Sequence, residues 1–254
     1  MIPLGILAAA NARTSPAPVS LYESEVLADS PYLYWRLGEL TSGPVHDRTA
    51  NNRGGIVAGA APTFGVPGLV GDENTAYRIT ASSTYLRSVS NFNAPVADFT
   101  IACAVKVDAG APAGHILGFY DNVNPTVVGG ARDRFLYVNT SGHLVAGVWS
   151  GTAYTIISPA PINDGQRRLI HFASGANAAE GSELYIDGVS VGTMPVISMD
   201  TSGTRYLIAG LNNVSGWPGG ANASMLGVID EVAYFHSRLS AARILAHAEA
   251  GGFA

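Results

Sequence analysis

The sequence predicts an all-β fold: a two-sheet antiparallel sandwich with a short C-terminal helix and an extended N-terminal arm. Three observations predict it. Short runs of β-branched, aromatic and other apolar residues recur along the 254 residues, and clusters of Gly, Pro, Asn, Asp and Ser separate them. Some of these runs alternate, as do Phe99, Ile101, Cys103, Val105 and Val107 with smaller or polar neighbours, which is the period of a strand. Helical signals are confined to two brief stretches.

Residues 1–20 read as an arm. An apolar tip, Met1 to Leu7, is followed by Arg13-Thr14-Ser15-Pro16-Ala17-Pro18, which favours extended backbone and has little to bury. An apolar tip on such a tether suggests docking into another protein; a disordered terminus is the alternative. Leu21 to Leu27 fits a short helix, Asp29-Ser30-Pro31 punctuates it, and Tyr32 to Leu37 reads as a strand. Gly38 to Gly55 is expected to be a loop, with Ile56-Val57 opening a short strand and Gly65 to Gly71 rich in turns. Strands are expected at Ala76–Ile79, Tyr85–Val89, Phe99–Val107, His115–Tyr120, Arg134–Asn139, Leu144–Trp149, Ala153–Ser158, Arg168–Ala173 and Arg205–Gly210. Hairpin turns are expected at Thr140-Ser141-Gly142, at Ser150-Gly151-Thr152 and, most clearly, at Asp187-Gly188 between Glu183–Ile186 and Val189–Gly192. Met225 to Phe235 closes the strand series with a carboxylate, Asp230, inside an otherwise apolar run, and a bare carboxylate there needs a partner. A last helix follows, with Ser240 at its N-cap and Gly251 just past its end. No break in the apolar pattern divides 21–254, so that span reads as one domain.

Composition narrows the function classes. Net charge is −5 and no basic run occurs, which gives no support to a nucleic-acid surface. Charged residues make up only 13% of the chain, which suits a surface that packs on partners or recognises neutral ligands. Cys103 is the single cysteine, so no disulfide forms within the chain, and its place in an alternating run marks it as core. The first twelve residues lack a basic leader and are interrupted by Pro3 and Gly5, and the run is too short to insert in a membrane; export with cleavage near Ala12 is the minority alternative.

Four motifs carry a resemblance that covers roughly residues 21–250. Tyr32 to Glu39, Asp98-Phe99-Thr100-Ile101, Leu184-Tyr185-Ile186-Asp187-Gly188 and Gly227 to Val232 resemble, in order, the characteristic strands of laminin-G-like domains of the concanavalin A-like jelly-roll group. Arg168-Leu169 departs from the Trp-His often found there. The Met1–Leu7 tip together with Leu27 to Glu39 is similar to minor tail proteins of phages that infect actinobacteria. That resemblance implies a virion protein, assembled in a host cytoplasm, whose arm docks on other tail proteins. The leading expectation is a homo-oligomer within the particle whose jelly roll contacts host cell-wall polysaccharide; a purely structural virion protein packing on neighbouring subunits and a secreted bacterial glycan-binding module are the alternatives.

Candidate sites follow from both readings. No catalytic residues are expected. Retaining glycosidases need two carboxylates about 5 Å apart, no Glu-x-Asp-x-Glu run exists, and adjacent Asp230 and Glu231 in a regular strand point to opposite faces. No nucleophile-elbow, zinc-helix or P-loop motif occurs, and the histidines are scattered. Trp217 with Asn212 and Asn213, and Tyr120 with Asn122, have the aromatic-plus-amide composition of a glycan site; a loop anchor packed on the sandwich is the alternative for Trp217. By resemblance calcium is a possible cofactor, with Asp230 as first candidate ligand and Asp47 as second; hydrogen bonding to backbone or hydroxyl groups is the alternative for Asp230.

Overall fold

The computed structural model describes residues 20–91, 98–126, 130–176, 181–195, 197, 205–211, 214 and 216–254. In chain order its elements are α1 (Leu21–Ala28), β1 (Leu33–Trp35), β2 (Pro44–Val45), β3 (Gly55–Gly59), β4 (Thr63–Pro67), β5 (Thr75–Ile79), β6 (Thr84–Ser88), β7 (Phe99–Val107) and β8 (Gly114–Tyr120). They continue with β9 (Arg132–Val138), β10 (His143–Trp149), β11 (Ala153–Pro161), β12 (Arg167–Ser174), β13 (Ser182–Ile186), β14 (Val189–Met194), β15 (Tyr206–Gly210), β16 (Gly227–Phe235) and α2 (Ala241–Ala250). The predicted arm falls almost wholly outside the described residues.

Two antiparallel eight-stranded sheets face each other in a jelly-roll-like sandwich. The first runs β14-β13-β12-β7-β16-β5-β4, with β1 also paired to β16; the second runs β11-β10-β9-β8-β15-β6-β3-β2. Alternation puts Ile101, Cys103, Val105 and Val107 of β7, Ile170 and Phe172 of β12, and Tyr77 and Ile79 of β5 into the core between the sheets. Cys103 is fully buried there, and burial pushes its thiol up to about 12.

The outer face of the first sheet is also covered. Ala76, Ala102, Ala104 and Ala233 point outward, and these small side chains let α1 and α2 lie close against the strands. Tyr22 and Val26 of α1 and Ile244 and Ala248 of α2 fill the resulting layer with Leu69, Leu169 and Phe235. Ser20 and Ser240 cap the two helices by accepting from Glu23 N and Arg243 N. Arg243 and His247 of α2 both reach Asp29 at the end of α1, which ties the helices together.

The strand expectations hold with two local differences. Gly65 to Pro67, the start of the stretch read as turn-rich, belongs to β4; as an edge strand it tolerates Pro67, whose missing N–H is not needed on an open side. The expected long loop after β1 contains the two-residue β2. At the β13–β14 hairpin Asp187 and Gly188 take φ of 54° and 81°, the pair of positive angles a tight two-residue turn requires.

Candidate functional site

Trp217 is not a stacking platform. Its side chain is only 4% exposed and packs on the outer face of the second sheet with Phe135 (ring centroids 4.8 Å), Trp149 (5.9 Å) and Tyr137 (6.3 Å). Gly147 makes the slot, since a Cβ there would stand 2.8 Å from the indole. The loop is pinned over the sheet by Tyr137 Oη donating to Pro218 O and Thr140 N donating to Gly219 O. The signal for this was in the strands. The unbroken apolar runs Phe135–Val138 and Leu144–Trp149 need cover on both faces, and Trp217 supplies it. Tyr120 is likewise fully buried, and Asn122 is half-buried, its Oδ1 accepting from Asn124 N within its own turn. Asn212 and Asn213 lie outside the described residues. The structure therefore does not assemble the expected aromatic-plus-amide site from the residues it describes.

The carboxylates of Asp47 and Asp230 are taken up by backbone and hydroxyl donors. Asp47 Oδ1 accepts from Tyr34 N and Thr49 N, and its Oδ2 accepts from Arg53 N and the Thr49 hydroxyl. Asp230 Oδ2 accepts from Leu69 N at 2.8 Å and its Oδ1 from Glu231 N at 3.0 Å. A cation at these oxygens would face the positive ends of the same N–H groups. The two carboxylates share no partner, and among the described residues no three His, Cys, Asp or Glu side chains gather as a metal site.

A bulge overturns the expectation that Asp230 and Glu231 face opposite ways. Ile229 and Val232 both point into the core, and pairing with β7 slips between Asp230 and Ala233. Glu231, at φ 53°, is the extra residue, so both carboxylates lie on the outer side of the sheet. Glu231 accepts from Arg36 Nε at 3.0 Å and from the Tyr34 hydroxyl. Arg36 also pairs with Glu23 of α1 and with Asp72, so one guanidinium joins β16, α1 and the 68–72 segment. Burial raises the pKa of both Asp230 and Glu231; Glu231 adds to the rise at Asp230, while Arg36 works against it at Glu231. Tyr34, Asp230 and Glu231 are fully buried, while Arg36 and Asp72 at the edge of the network are partly exposed.

What Asp230 does support is the wall of an open cleft. The cleft, of about 570 Å³, is lined by Val66–Leu69 on one side, Gly165–Arg167 on another, and Arg78, Lys106 and Val228 on its floor. Asp230 holds the amide of Leu69, and Arg167 Nη1 holds its carbonyl at 2.6 Å. Gly68 lets the segment sit close, since a Cβ there would stand 2.5 Å from Asn74 O. Arg167 is fixed further by donating to Gly252 O and by lying 4.5 Å from the Phe253 ring centroid. The cleft thus presents Arg167 in a fixed position at its wall and Arg78 and Lys106 on the sheet. Its residues are scattered through the sequence, and no local motif marks them.

Comparisons with known proteins agree with this architecture. Residues 80–245 match the family described as the concanavalin A-like lectin/glucanases superfamily. No protein of curated function matches in sequence. Among solved structures, domain 4 of the extracellular arabinanase AbnA from Geobacillus stearothermophilus, in complex with arabinotriose, is similar at TM-score 0.59 and 16% identity, covering 86% of this chain and 98% of that one. Botulinum neurotoxin type C, whose cell entry depends on interaction with two ganglioside molecules, is similar at TM-score 0.61 and 15% identity, over 88% of this chain and 52% of that one. The sialidase of Trypanosoma rangeli is similar at TM-score 0.55 and 12% identity, over 85% of this chain and 32% of that one. At these identities the likeness is one of fold.

Proposed function

The chain belongs to the concanavalin A-like lectin/glucanases superfamily, and from that premise we propose that it is a non-catalytic glycan-binding module. The single observation that carries the reading is the open cleft on the first sheet, with Arg167 fixed in place at its wall. Two similar folds, the arabinanase domain with arabinotriose and the ganglioside-dependent neurotoxin, are described as engaging carbohydrate, which supports the same class of ligand here. The sealed state of Asp230 and Glu231 supports a role without hydrolysis, because a general acid and base must reach the scissile bond.

The particle context belongs to the same proposal. The similarity of Met1–Leu7 and Leu27–Glu39 to minor tail proteins supports a phage tail component that contacts host-surface polysaccharide, with the arm docking on neighbouring tail proteins. The test is sedimentation of purified protein with isolated actinobacterial cell-wall polysaccharide, with and without a calcium chelator, alongside an assay for released reducing ends. Binding that survives the chelator, with no release, is expected. Release of reducing ends would overturn the non-catalytic reading. Absence of binding would move the chain to a structural role in the particle. Immunogold labelling of virions tests the location: label on the tail supports it and unlabelled tails refute it.

A further inference from the structure

We propose that this cleft selects an acidic polysaccharide, one bearing carboxylate or phosphodiester groups, and that the polymer lies across the strands along a row of cations. The proposal rests on the glycan-binding reading and narrows it. The row is set by strand register: Arg167 of β12 pairs with Lys106 of β7, Lys106 with Val228 of β16, and Val228 with Arg78 of β5. Residues directly opposite each other on neighbouring strands project from the same face, so three cations and one valine form a line across four strands. At a strand spacing of about 4.8 Å, Arg167 and Lys106 are close enough to share one anionic group, and Arg78 stands two spacings from Lys106 for a second.

The charges in this row are poorly balanced. Lys106 is exposed and makes no ion pair or side-chain hydrogen bond among the described residues. The Arg167 charge acts on Asp187, but that carboxylate accepts from Leu169 N and lies 3.9 Å from Arg168. Arg167 itself donates to the carbonyls of Leu69 and Gly252 and, among the described residues, has no ion-paired carboxylate. Arg78 alone has one, Asp108 at 2.7 Å, and that pair is half-exposed. Asp164, on the same side, is engaged by Arg168, and Asp230 lies buried beneath Leu69. The chain as a whole carries a net charge of −5, so a concentration of positive charge in one cleft runs against its overall balance. Like charges directly opposite on adjacent strands destabilise a sheet. A bound anion removes that repulsion, whereas a neutral sugar leaves it in place.

Lys106 is the probe of choice because its ammonium holds nothing else in place. Binding of the full chain is measured by calorimetry to polygalacturonate, to a ribitol-phosphate polymer, to neutral arabinan and to a single-stranded oligonucleotide. Wild type, Lys106→Gln and Lys106→Glu are compared at low and high salt. One or both acidic glycans should bind more tightly than arabinan, weaken with salt, and lose about tenfold with Lys106→Glu and less with Lys106→Gln. The two acidic arms tell carboxylate from phosphodiester. Equal binding of arabinan and the acidic polymers, indifferent to Lys106→Glu, would overturn the selectivity and leave the glycan reading standing. If none of the glycans binds, both fall. Preference for the oligonucleotide over both acidic glycans would assign the row to nucleic acid and refute the proposal.

Discussion

Truncating Trp217 to alanine should unfold the sandwich more easily rather than remove a binding surface. An indole buries about 150–250 Å², which at roughly 25 cal/mol per Å² amounts to about 4–6 kcal/mol. Partial collapse of the 216–220 loop onto Phe135 and Tyr137 offsets some of that, so a loss of about 3–5 kcal/mol is expected. Against a total stability of about 5–15 kcal/mol the protein stays folded in water, with its urea midpoint lowered by a molar unit or more. Trp217→Phe separates packing from hydrogen bonding. The indole Nε1 is buried with no hydrogen-bond partner among the described residues, so phenylalanine keeps much of the ring contact and removes a desolvated donor. Its cost should be well below that of alanine. The assay is urea unfolding followed by far-UV circular dichroism, with polysaccharide sedimentation of the same variants under native conditions. Loss of binding at an unchanged midpoint would refute the reasoning and return Trp217 to a sugar site.

Other expectations follow from the buried charges. Arg36→Met leaves Glu23, Asp72 and Glu231 without their shared cation and should cost about 3–5 kcal/mol, partly recovered in acid as the carboxylates protonate; chemical denaturation at two pH values checks it. Burial lowers the pKa of His115 to about 3, and its Nδ1 lies 2.6 Å from Gly210 O. The unfolded chain binds the proton near pH 6.5, so this residue's contribution to stability is lost as pH falls from there towards 3, by up to about 1.4 kcal/mol per pH unit. His115→Gln should flatten that part of the pH–stability profile. Asp230 and Glu231 act in the opposite sense: their raised pKa values make the fold gain on acidification through the range between the folded and unfolded values. Replacing both by Asn and Gln should therefore remove a rise in stability, measured as urea midpoints below pH 7. Asp187→Ala removes the acceptor for Leu169 N and places alanine at φ 54°, and should lower the urea midpoint by the equivalent of about 1–2 kcal/mol.

Local signals made much of the architecture legible. Alternation in Phe99–Val107, the Asp187-Gly188 turn and the capped helix after Ser240 are each decided within a few residues, and the structure has them where the sequence places them. The bulge at Glu231 was not legible, because it arises from β16 serving β7, β5 and β1 at once, which no single strand's pattern reveals. Trp217 misled for a related reason: a Gly- and Asn-rich loop has the composition of a sugar site, but the apolar outer faces of β9 and β10 claim its one large ring. The cleft was hidden most completely. Arg78, Lys106 and Arg167 are far apart in sequence and fall into line only through the register of β5, β16, β7 and β12.

The most direct test of the central claim is to locate a bound glycan on the molecule. Isotopically labelled protein titrated with oligogalacturonate, followed by amide chemical shifts, reports where contact occurs. The account predicts saturable shifts at Leu69, Lys106, Arg167 and Val228, with little change at Trp217 and Gly219. Shifts confined to the 216–220 loop, or none at saturating ligand, would contradict it.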